Sequence, residues 1–178
     1  MNIVIETERL RIRPLKEDDL EGMFALDSDP EVHKYLGNKP VKTKAESLKI
    51  IQDIQKQYQE RGIGRWAVED KNTNTFLGWS GLRLYKGEDE EYNGFSNFYD
   101  IGYRFIKEFW GKGYATESAK ACLEYAFHTM HLDVVYGLTE LGNEASHNVL
   151  LKIGLQYKEQ FYCKRLDEEL RWYEIKKQ

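Results

Sequence analysis

Residues 110–117 read Trp-Gly-Lys-Gly-Tyr-Ala-Thr-Glu, and this stretch decides the fold because its two glycines separate a strand-like run from a helix-like run. The preceding residues, 99–106, are rich in β-branched and aromatic side chains, which favours a strand. The following residues place small or apolar side chains three to four positions apart, as one face of a helix does: Ala115, Ala119, Cys122, Ala126 and Met130. A helix start presents unpaired backbone N–H groups and about half a unit of positive charge. The stretch therefore predicts a strand, a turn and a helix whose start binds a phosphate-bearing ligand.

Two common nucleotide-binding motifs fit this stretch poorly. A nucleotide-hydrolase loop requires Gly-Lys followed by Ser or Thr, but Lys112 precedes the second glycine and no hydroxyl follows a Gly-Lys pair. A dinucleotide-binding turn requires Gly-x-Gly-x-x-Gly, and Thr116 stands where the third glycine belongs. A nucleotide-binding domain is therefore the weakest of the function classes considered.

The pattern Gly113-x-Ala115 resembles the acetyl-CoA signature Gln/Arg-x-x-Gly-x-Gly/Ala of the GNAT superfamily of N-acetyltransferases. The whole stretch resembles the form found in the RimJ/RimL branch, which acetylates the N-termini of ribosomal proteins. Trp110 stands at the Gln/Arg position, so backbone donors would carry more of the pyrophosphate binding. Further segments resemble the same branch in chain order, and they lie at residues 7–14, 29–36, 66–68, 77–82 and 142–155.

Length and charge restrict the partners that we expect. A chain of 178 residues is long enough for one full core, and we predict a single GNAT-type domain over residues 1–178. Charged residues make up 31% of the chain and the formal net charge is −4, so the basic excess that nucleic acids require is missing. The chain contains no apolar run of about 18 residues and no signal-like start, so we expect no membrane association and a cytoplasmic location. We expect a monomer or a homodimer.

The cysteines and histidines do not indicate a metal site or a disulfide. Cys122 falls on the apolar stripe of the predicted helix, and Cys163 lies far away in sequence, so buried free thiols are expected. The four histidines show no zinc-type spacing with cysteine, and no metal is predicted.

Periodicity and turn residues predict the remaining elements. Leu10 and Ile12 alternate with arginines, which indicates a strand with one solvent-exposed face. A capping box at Thr43 and Glu46 and a stop at Gly62 predict a helix over residues 44–61. The other predicted elements are a helix at 145–153 and strands at 65–69, 76–85, 98–106, 134–139, 156–165 and 170–176. For the acidic segment 86–94, a solvated connection is favoured over a substrate-contacting lid.

These elements predict an α/β domain (α+β by some schemes) with a mixed, mostly antiparallel, twisted sheet of about six or seven strands flanked by about four helices. The two strands that flank the helix after the glycines should be parallel, because a crossover helix joins them. The resemblance further implies that this central pair splays apart and admits the pantetheine arm of acetyl-CoA.

The resemblance implies direct transfer of an acetyl group from acetyl-CoA to a primary amine. No nucleophile arrangement is recognisable in the sequence, which agrees with a reaction that forms no acyl-enzyme. Asp100 is the candidate general base, and the structural alternative is an ion pair with an arginine such as Arg104. Ser146 could contact the leaving thiol or hold a water, or it could belong to the helix cap. Leu150 stands where many members of the superfamily have a tyrosine acid.

The resemblance also implies the residues that hold acetyl-CoA. The predicted pyrophosphate contacts come from the backbone of Gly111, Lys112, Gly113, Tyr114, Ala115 and Thr116. Phe105 and Ile106 should pair with the pantetheine amides, and Asn143 should reach the same arm or cap its helix. Trp66 and Trp79 could line the acceptor cleft, although core packing is favoured. A protein N-terminus and a small-molecule amine both remain open as acceptors, and a non-catalytic CoA-binding sensor module is the alternative function.

Overall fold

A computed structural model of the chain describes residues 3–177. Within them the strands are β1 (Ile5–Glu6), β2 (Leu10–Pro14), β3 (Arg65–Asp70), β4 (Phe76–Tyr85), β5 (Phe98–Phe105), β6 (Val134–Glu140), β7 (Gln156–Cys163) and β8 (Glu168–Lys176). The helices are α1 (Leu20–Asp27), α2 (Pro30–His33), α3 (Lys44–Arg61), α4 (Tyr114–His128) and α5 (Glu144–Lys152). Single 3-10 turns lie at Glu17–Asp19, Glu88–Glu90 and Lys107–Phe109.

All of these strands form one sheet in the order β1-β2-β3-β4-β5-β6-β8-β7. Its neighbouring strands are antiparallel except for the parallel pair β5 and β6, which confirms the predicted mixed, mostly antiparallel sheet. The described residues hold eight strands and five helices, slightly more than the sequence predicted. The two-residue β1 and the four-residue α2 are too short to show a periodic pattern, which explains the difference.

The central parallel pair is in register at one position. Asp100 of β5 lies opposite Tyr136 of β6, and this is the single registered pair between the two strands. The strands are 8 and 7 residues long, so most of their length diverges. This divergence is the splayed pair that the resemblance implied, and it opens a gap in the middle of the sheet.

Helix α4 covers the centre of the sheet on one side. Its buried face contains Ala119, Cys122 and Ala126, all fully buried, and packs against a core that includes Leu10 and Trp66. Small side chains allow the helix to lie close to the strands. Burial raises the pKa of the Cys122 thiol to about 12, and both Cys122 and Cys163 are buried and free, as the sequence predicted.

Helix α3 covers a second core and has the predicted ends. Thr43 Oγ1 accepts from the Glu46 N–H at 3.3 Å, and the Glu46 carboxylate accepts from the Thr43 N–H at 2.9 Å. Gly62 ends the helix in the left-handed conformation, with φ of 69°. Ile51 and Ile54 pack toward α1 and the sheet. Over residues 3–177, no helix is long and apolar enough to cross a membrane.

Candidate active site

The gap between β5 and β6 opens into a cavity of about 590 Å³. Its wall is built mainly by β5, β6, α5, the segment after α2 and the turn between β7 and β8, with further residues from β3, β4, β8 and the segment before β5. Six of the residues singled out in the sequence lie on this wall: Trp79, Asp100, Arg104, Asn143, Ser146 and Leu150. The glycine loop 111–113 lies outside the wall, at the start of α4.

Asp100 is buried in the centre of the sheet and carries one charged partner. Its side chain is 7% exposed and forms an ion pair with the Arg65 guanidinium. Arg65 also donates to the Asp100 carbonyl oxygen at 2.8 Å. Burial raises the pKa of Asp100, and the charge of Arg65 opposes that rise. The carboxylate is therefore held in place at the cavity wall by a fixed cation.

The arginine partner of Asp100 differs from the one suggested by sequence. Arg104 instead pairs with Asp27 of α1 at 2.5 Å. Arg65 reaches Asp100 across the surface of the sheet because Gly102 leaves room for it. A Cβ on Gly102 would lie 2.6 Å from an Arg65 terminal nitrogen. No local sequence pattern indicates this pair, because 35 residues separate Arg65 from Asp100.

Ser146 belongs both to a helix cap and to a hydroxyl pair at the cavity. Its N–H donates to Asn143 Oδ1 at 3.0 Å, which makes Asn143 the cap of α5. Its Oγ lies 3.0 Å from the Tyr103 hydroxyl, and its carbonyl oxygen accepts from that hydroxyl, also at 3.0 Å. Burial raises the pKa of Tyr103, so the phenol stays protonated. Sequence reasoning missed this pair because 43 residues separate its members.

The position that the resemblance aligns with a tyrosine is apolar in this structure. Leu150 of α5 is 1% exposed and lines the cavity. The cavity wall also contains the hydroxyl pair of Tyr103 and Ser146, which come from β5 and the start of α5. Any proton donor on this wall is therefore supplied from a different position in the fold.

The glycine loop presents free backbone donors to solvent. Gly111 and Gly113 have φ of 73° and 83°, which are left-handed values that favour glycine. Gly113 caps α4 without a side-chain oxygen, and the first bond within the helix runs from the Glu117 N–H to the Gly113 carbonyl at 3.0 Å. A Cβ on Gly111 would meet no atom within 4 Å, so the space above the loop is open. These features fit a diphosphate at the helix start.

The end of β5 next to this loop is partly occupied by its own chain. The Ile106 N–H donates to the Leu77 carbonyl at 3.0 Å, and the Ile106 carbonyl accepts from the Phe109 N–H at 2.9 Å. The Phe105 carbonyl accepts from the Trp110 indole N–H at 2.7 Å. A pantetheine amide at Phe105 or Ile106 would therefore use the second lone pair of a carbonyl that is already bonded.

The cavity wall also combines aromatic and acidic side chains. Trp79 lines it, with the Arg104 guanidinium 5.1 Å from the ring centroid, whereas Trp66 is fully buried and packs edge-to-face on Tyr125. Burial and the nearby Glu168 raise the pKa of Glu140, and both carboxylates line the cavity. Trp66 is therefore a core residue, and Trp79 is part of the cavity wall.

The acidic segment before β5 is anchored and contributes to the same wall. Glu90 accepts from Arg61 at 2.6 Å and from Arg83 at 3.0 Å. Tyr92 is 6% exposed and lines the cavity. The segment is therefore more than a solvated connection, because it supplies part of the cleft.

Comparison with known proteins supports one family. A family model for an acetyltransferase (GNAT) domain matches residues 9–156. The uncharacterized protein YkkB of Bacillus subtilis is 34% identical over 85% of this chain and 84% of its own length. Spermidine N(1)-acetyltransferase of Escherichia coli is 26% identical over 82% of this chain and 72% of its own. The crystal structure of a GNAT-family acetyltransferase from Bacillus anthracis is 28% identical, with a TM-score of 0.81 and 98% of each chain covered.

Structures of the RimL type share the fold at lower identity. RimL, a ribosomal L7/L12 alpha-N-protein acetyltransferase solved with coenzyme A, is 16% identical with a TM-score of 0.75 over 98% of each chain. An identity of 16% shows a common fold and does not distinguish branches of a family. The RimJ/RimL branch therefore stays a prediction.

Proposed function

The chain belongs to the GNAT family of acetyltransferases, and we propose that it transfers the acetyl group of acetyl-CoA directly to a primary amine. The observation that carries this proposal is the splayed β5–β6 pair, which opens a cavity with Asp100 and Ser146 on its wall. The amine nitrogen attacks the thioester carbonyl, a C–N bond forms, and the C–S bond breaks to release the thiolate. Cys122 is fully buried and unsuited to nucleophilic attack, which is consistent with direct transfer.

Acetyl-CoA binding is assigned to the loop and the ends of the splayed strands. The unpaired N–H groups of Tyr114, Ala115 and Thr116, with those of residues 111–113, would receive the diphosphate. The pantetheine arm would run past Phe105 toward Asn143 and Ser146. Its sulfur would then meet the cavity wall where Tyr103 and Ser146 present their hydroxyls.

Asp100 is proposed as the general base. An α-amine with a pKa near 8 is about one unit from neutrality at pH 7, a cost of about 1.4 kcal/mol, whereas a lysine amine costs about 4.6 kcal/mol. A carboxylate whose pKa is raised by burial accepts a proton more readily than a free aspartate. Arg65 keeps the group oriented and limits how far that pKa rises.

Ser146, supported by Tyr103, is proposed to donate to the leaving thiolate or to an ordered water. A thiol with a pKa of about 8.5 is a moderate leaving group, so a strong acid is helpful without being required. The hydroxyl pair can transmit a proton because its two oxygens are 3.0 Å apart.

Two observations favour a small cationic amine as the acceptor over a protein N-terminus. Glu140 and Glu168 place acidic groups on the cavity wall, where they attract a cation, whereas arginines of the chain already lie over the rings of Trp79, Tyr85 and Tyr92. A similar protein is named for the acetylation of spermidine. The protein N-terminus stays the second candidate because it presents the same α-amine chemistry.

The test is thiol release from acetyl-CoA with a panel of amines, each product identified by mass. The panel contains polyamines, amino acids, amino sugars and peptides with free N-termini. We expect saturable turnover on one class and N-acetylated product. CoA binding without turnover on any amine would instead support the sensor alternative, and absence of CoA binding would overturn the loop assignment.

A further inference from the structure

An arginine from the N-terminal part of the chain lies against the glycine loop. Arg9 directly precedes β2, more than 100 positions from the loop in sequence. Its Nε donates to Glu117 Oε2 at 2.7 Å, and its Nη2 forms an ion pair with the same oxygen at 2.6 Å. Its Nη1 donates to the Lys112 carbonyl oxygen at 3.0 Å. One guanidinium therefore joins the first turn of α4 to the loop in front of it.

Both carboxylate oxygens of Glu117 accept hydrogen bonds from Thr7 and Arg9. Its second carboxylate oxygen accepts from Thr7 Oγ1 at 2.6 Å and from the Arg9 backbone N–H at 3.0 Å. Burial acts to raise the pKa of Glu117, but the bonds from Thr7 and Arg9 outweigh it and lower that pKa. A free carboxylate in the first helical turn would repel an anionic ligand. Pairing with Arg9 removes that repulsion.

The bond from Arg9 to the Lys112 carbonyl also orients the next amide. In a trans peptide the C=O and the following N–H point in opposite directions. Holding the Lys112 carbonyl toward Arg9 therefore directs the Gly113 N–H away from Arg9. The guanidinium carbon lies 4.5 Å from the Tyr114 ring centroid, and a Cβ on Gly113 would be 3.5 Å from Arg9 Nη2. The arginine thus borders Gly113 on one side.

Without Arg9, fixing the glycine loop in one conformation would cost more conformational entropy when a ligand binds. Glycine loses more conformational freedom than any other residue when it is fixed, and the loop contains Gly111 and Gly113 on either side of Lys112. A group that fixes the loop before the ligand arrives lowers the entropic cost of binding. Trp110, at the position where the superfamily signature has Gln or Arg, points its N–H to Phe105 and does not perform this task.

We propose that Arg9 is a positioning residue that, through Glu117 and the Lys112 carbonyl, presets the Gly113 amide for the diphosphate of the acetyl donor. The inference rests on the proposed function, since it assigns the loop to acetyl-CoA. Arg9 acts on the loop and has no part in the chemical step. Its loss changes donor binding and leaves turnover at saturation intact.

The decisive variant is Arg9→Lys, with Arg11→Lys as the matched control. Lysine keeps the charge, but its single ammonium cannot reproduce the planar fork that holds Glu117 and Lys112 together. Arg11 is also partly exposed and pairs with carboxylates, Glu6 and Glu69, without a contact to the loop. Isothermal titration gives the Kd of CoA and of pantetheine, and steady-state kinetics gives KM and kcat.

We expect Arg9→Lys to weaken CoA about tenfold, equivalent to about 1.4 kcal/mol. The KM for acetyl-CoA should rise by a similar factor, while kcat and the affinity for pantetheine, which lacks the diphosphate, stay within twofold. Arg11→Lys should match the wild type in every measurement. Unchanged CoA affinity in Arg9→Lys, or a fall in kcat at constant KM, would overturn the inference.

Glu117→Gln and the double variant test the route through Glu117. If both residues act on one element, their effects on CoA affinity are not additive. Additive losses, or equal losses for CoA and pantetheine, would contradict the proposed route. A wild-type protein that fails to bind CoA would refute the proposed function itself, which separates the two claims.

Discussion

Asp100 shows at the scale of one residue how burial and a fixed cation act together. A carboxylate with 7% exposure would be expensive to keep charged without Arg65. Burial nevertheless dominates, and the pKa of Asp100 is raised. The group is therefore closer to the range of a useful base than a solvated aspartate.

The Asp100→Asn variant tests this role. We expect turnover to fall by about 10²-fold at pH 7, in the range typical of a lost general base, and by less at pH 9, where more of the amine is already neutral. The pH profile of kcat/KM gives the answer, because its shape does not depend on how much enzyme is folded. Asp53→Asn, at an exposed pair with Lys49, is the control. A loss that is the same at every pH would mean that Asp100 is not the base.

Gly113 is the residue at which binding of the acetyl donor can be tested. Gly113→Glu places a negative side chain against the expected diphosphate position, and we expect it to abolish CoA binding. Gly113→Ala is the matched control, since both variants share the strain of a non-glycine residue at φ of 83° but only one adds charge. Binding of CoA to the glutamate variant as tight as to the alanine variant would reject the loop assignment.

At the scale of elements, helices α3 and α4 begin in opposite ways. Helix α3 satisfies its first N–H groups with the side chains of Thr43 and Glu46. Helix α4 has Gly113 as its N-cap residue and has no side-chain cap. The uncapped start is the one that we assign to a ligand, because free N–H groups there can bind an anion.

Thr43→Ala is the corresponding prediction for α3. Loss of the capping hydroxyl should reduce the free energy of unfolding by about 1 kcal/mol. Urea unfolding measures the change, with Thr129→Ala at the exposed end of α4 as the control. Because no hydrogen bond or ion pair among the described residues joins α3 to residues 111–116, CoA affinity should stay at the wild-type value. A variant as stable as the wild type would contradict the assigned cap.

At the scale of the whole molecule, buried charges connect the helical layer to the sheet. Asp27 of α1 is fully buried and pairs with Arg104 of the central strand β5 at 2.5 Å. His33 of α2 is 7% exposed, and its Nε2 lies 3.6 Å from Asp27 Oδ1. Burial, then the charge of Arg104, lowers the pKa of His33, although Asp27 and Asp29 act in the other direction.

This arrangement predicts how stability depends on pH. The unfolded histidine takes up a proton below its ordinary pKa of 6.5, whereas the folded one resists it. The contribution of His33 to stability is therefore complete above pH 6.5 and declines as the pH falls through and below that value. In His33→Gln, the urea midpoint should change less between pH 7.5 and about 5.5 than in the wild type. The exposed His128→Gln should retain the wild-type pH slope, and an equal slope in His33→Gln would show that His33 is not responsible.

Local signals in the sequence were sufficient for most elements. The limits of α3 match the prediction, and the ends of β3 and β5 differ from it by one residue. Strand β7 ends two residues earlier than predicted, and strand β8 begins two residues earlier. The turn between them has no glycine or proline to mark its limits. Very short elements such as β1 and α2 carry too few residues for any periodic pattern.

The sequence by itself determined the order of the elements, the mixed sheet, the glycine loop and the family resemblance, because capping residues, periodicity and glycine act over a few neighbouring positions. Only the tertiary structure decided the partners of the site residues: Arg65 for Asp100, Tyr103 for Ser146, and Arg9 for Glu117 and Lys112. Their separations of 35, 43, 108 and 103 residues exceed any local pattern. Such contacts depend on strand register and side-chain direction, which are fixed when the whole sheet assembles.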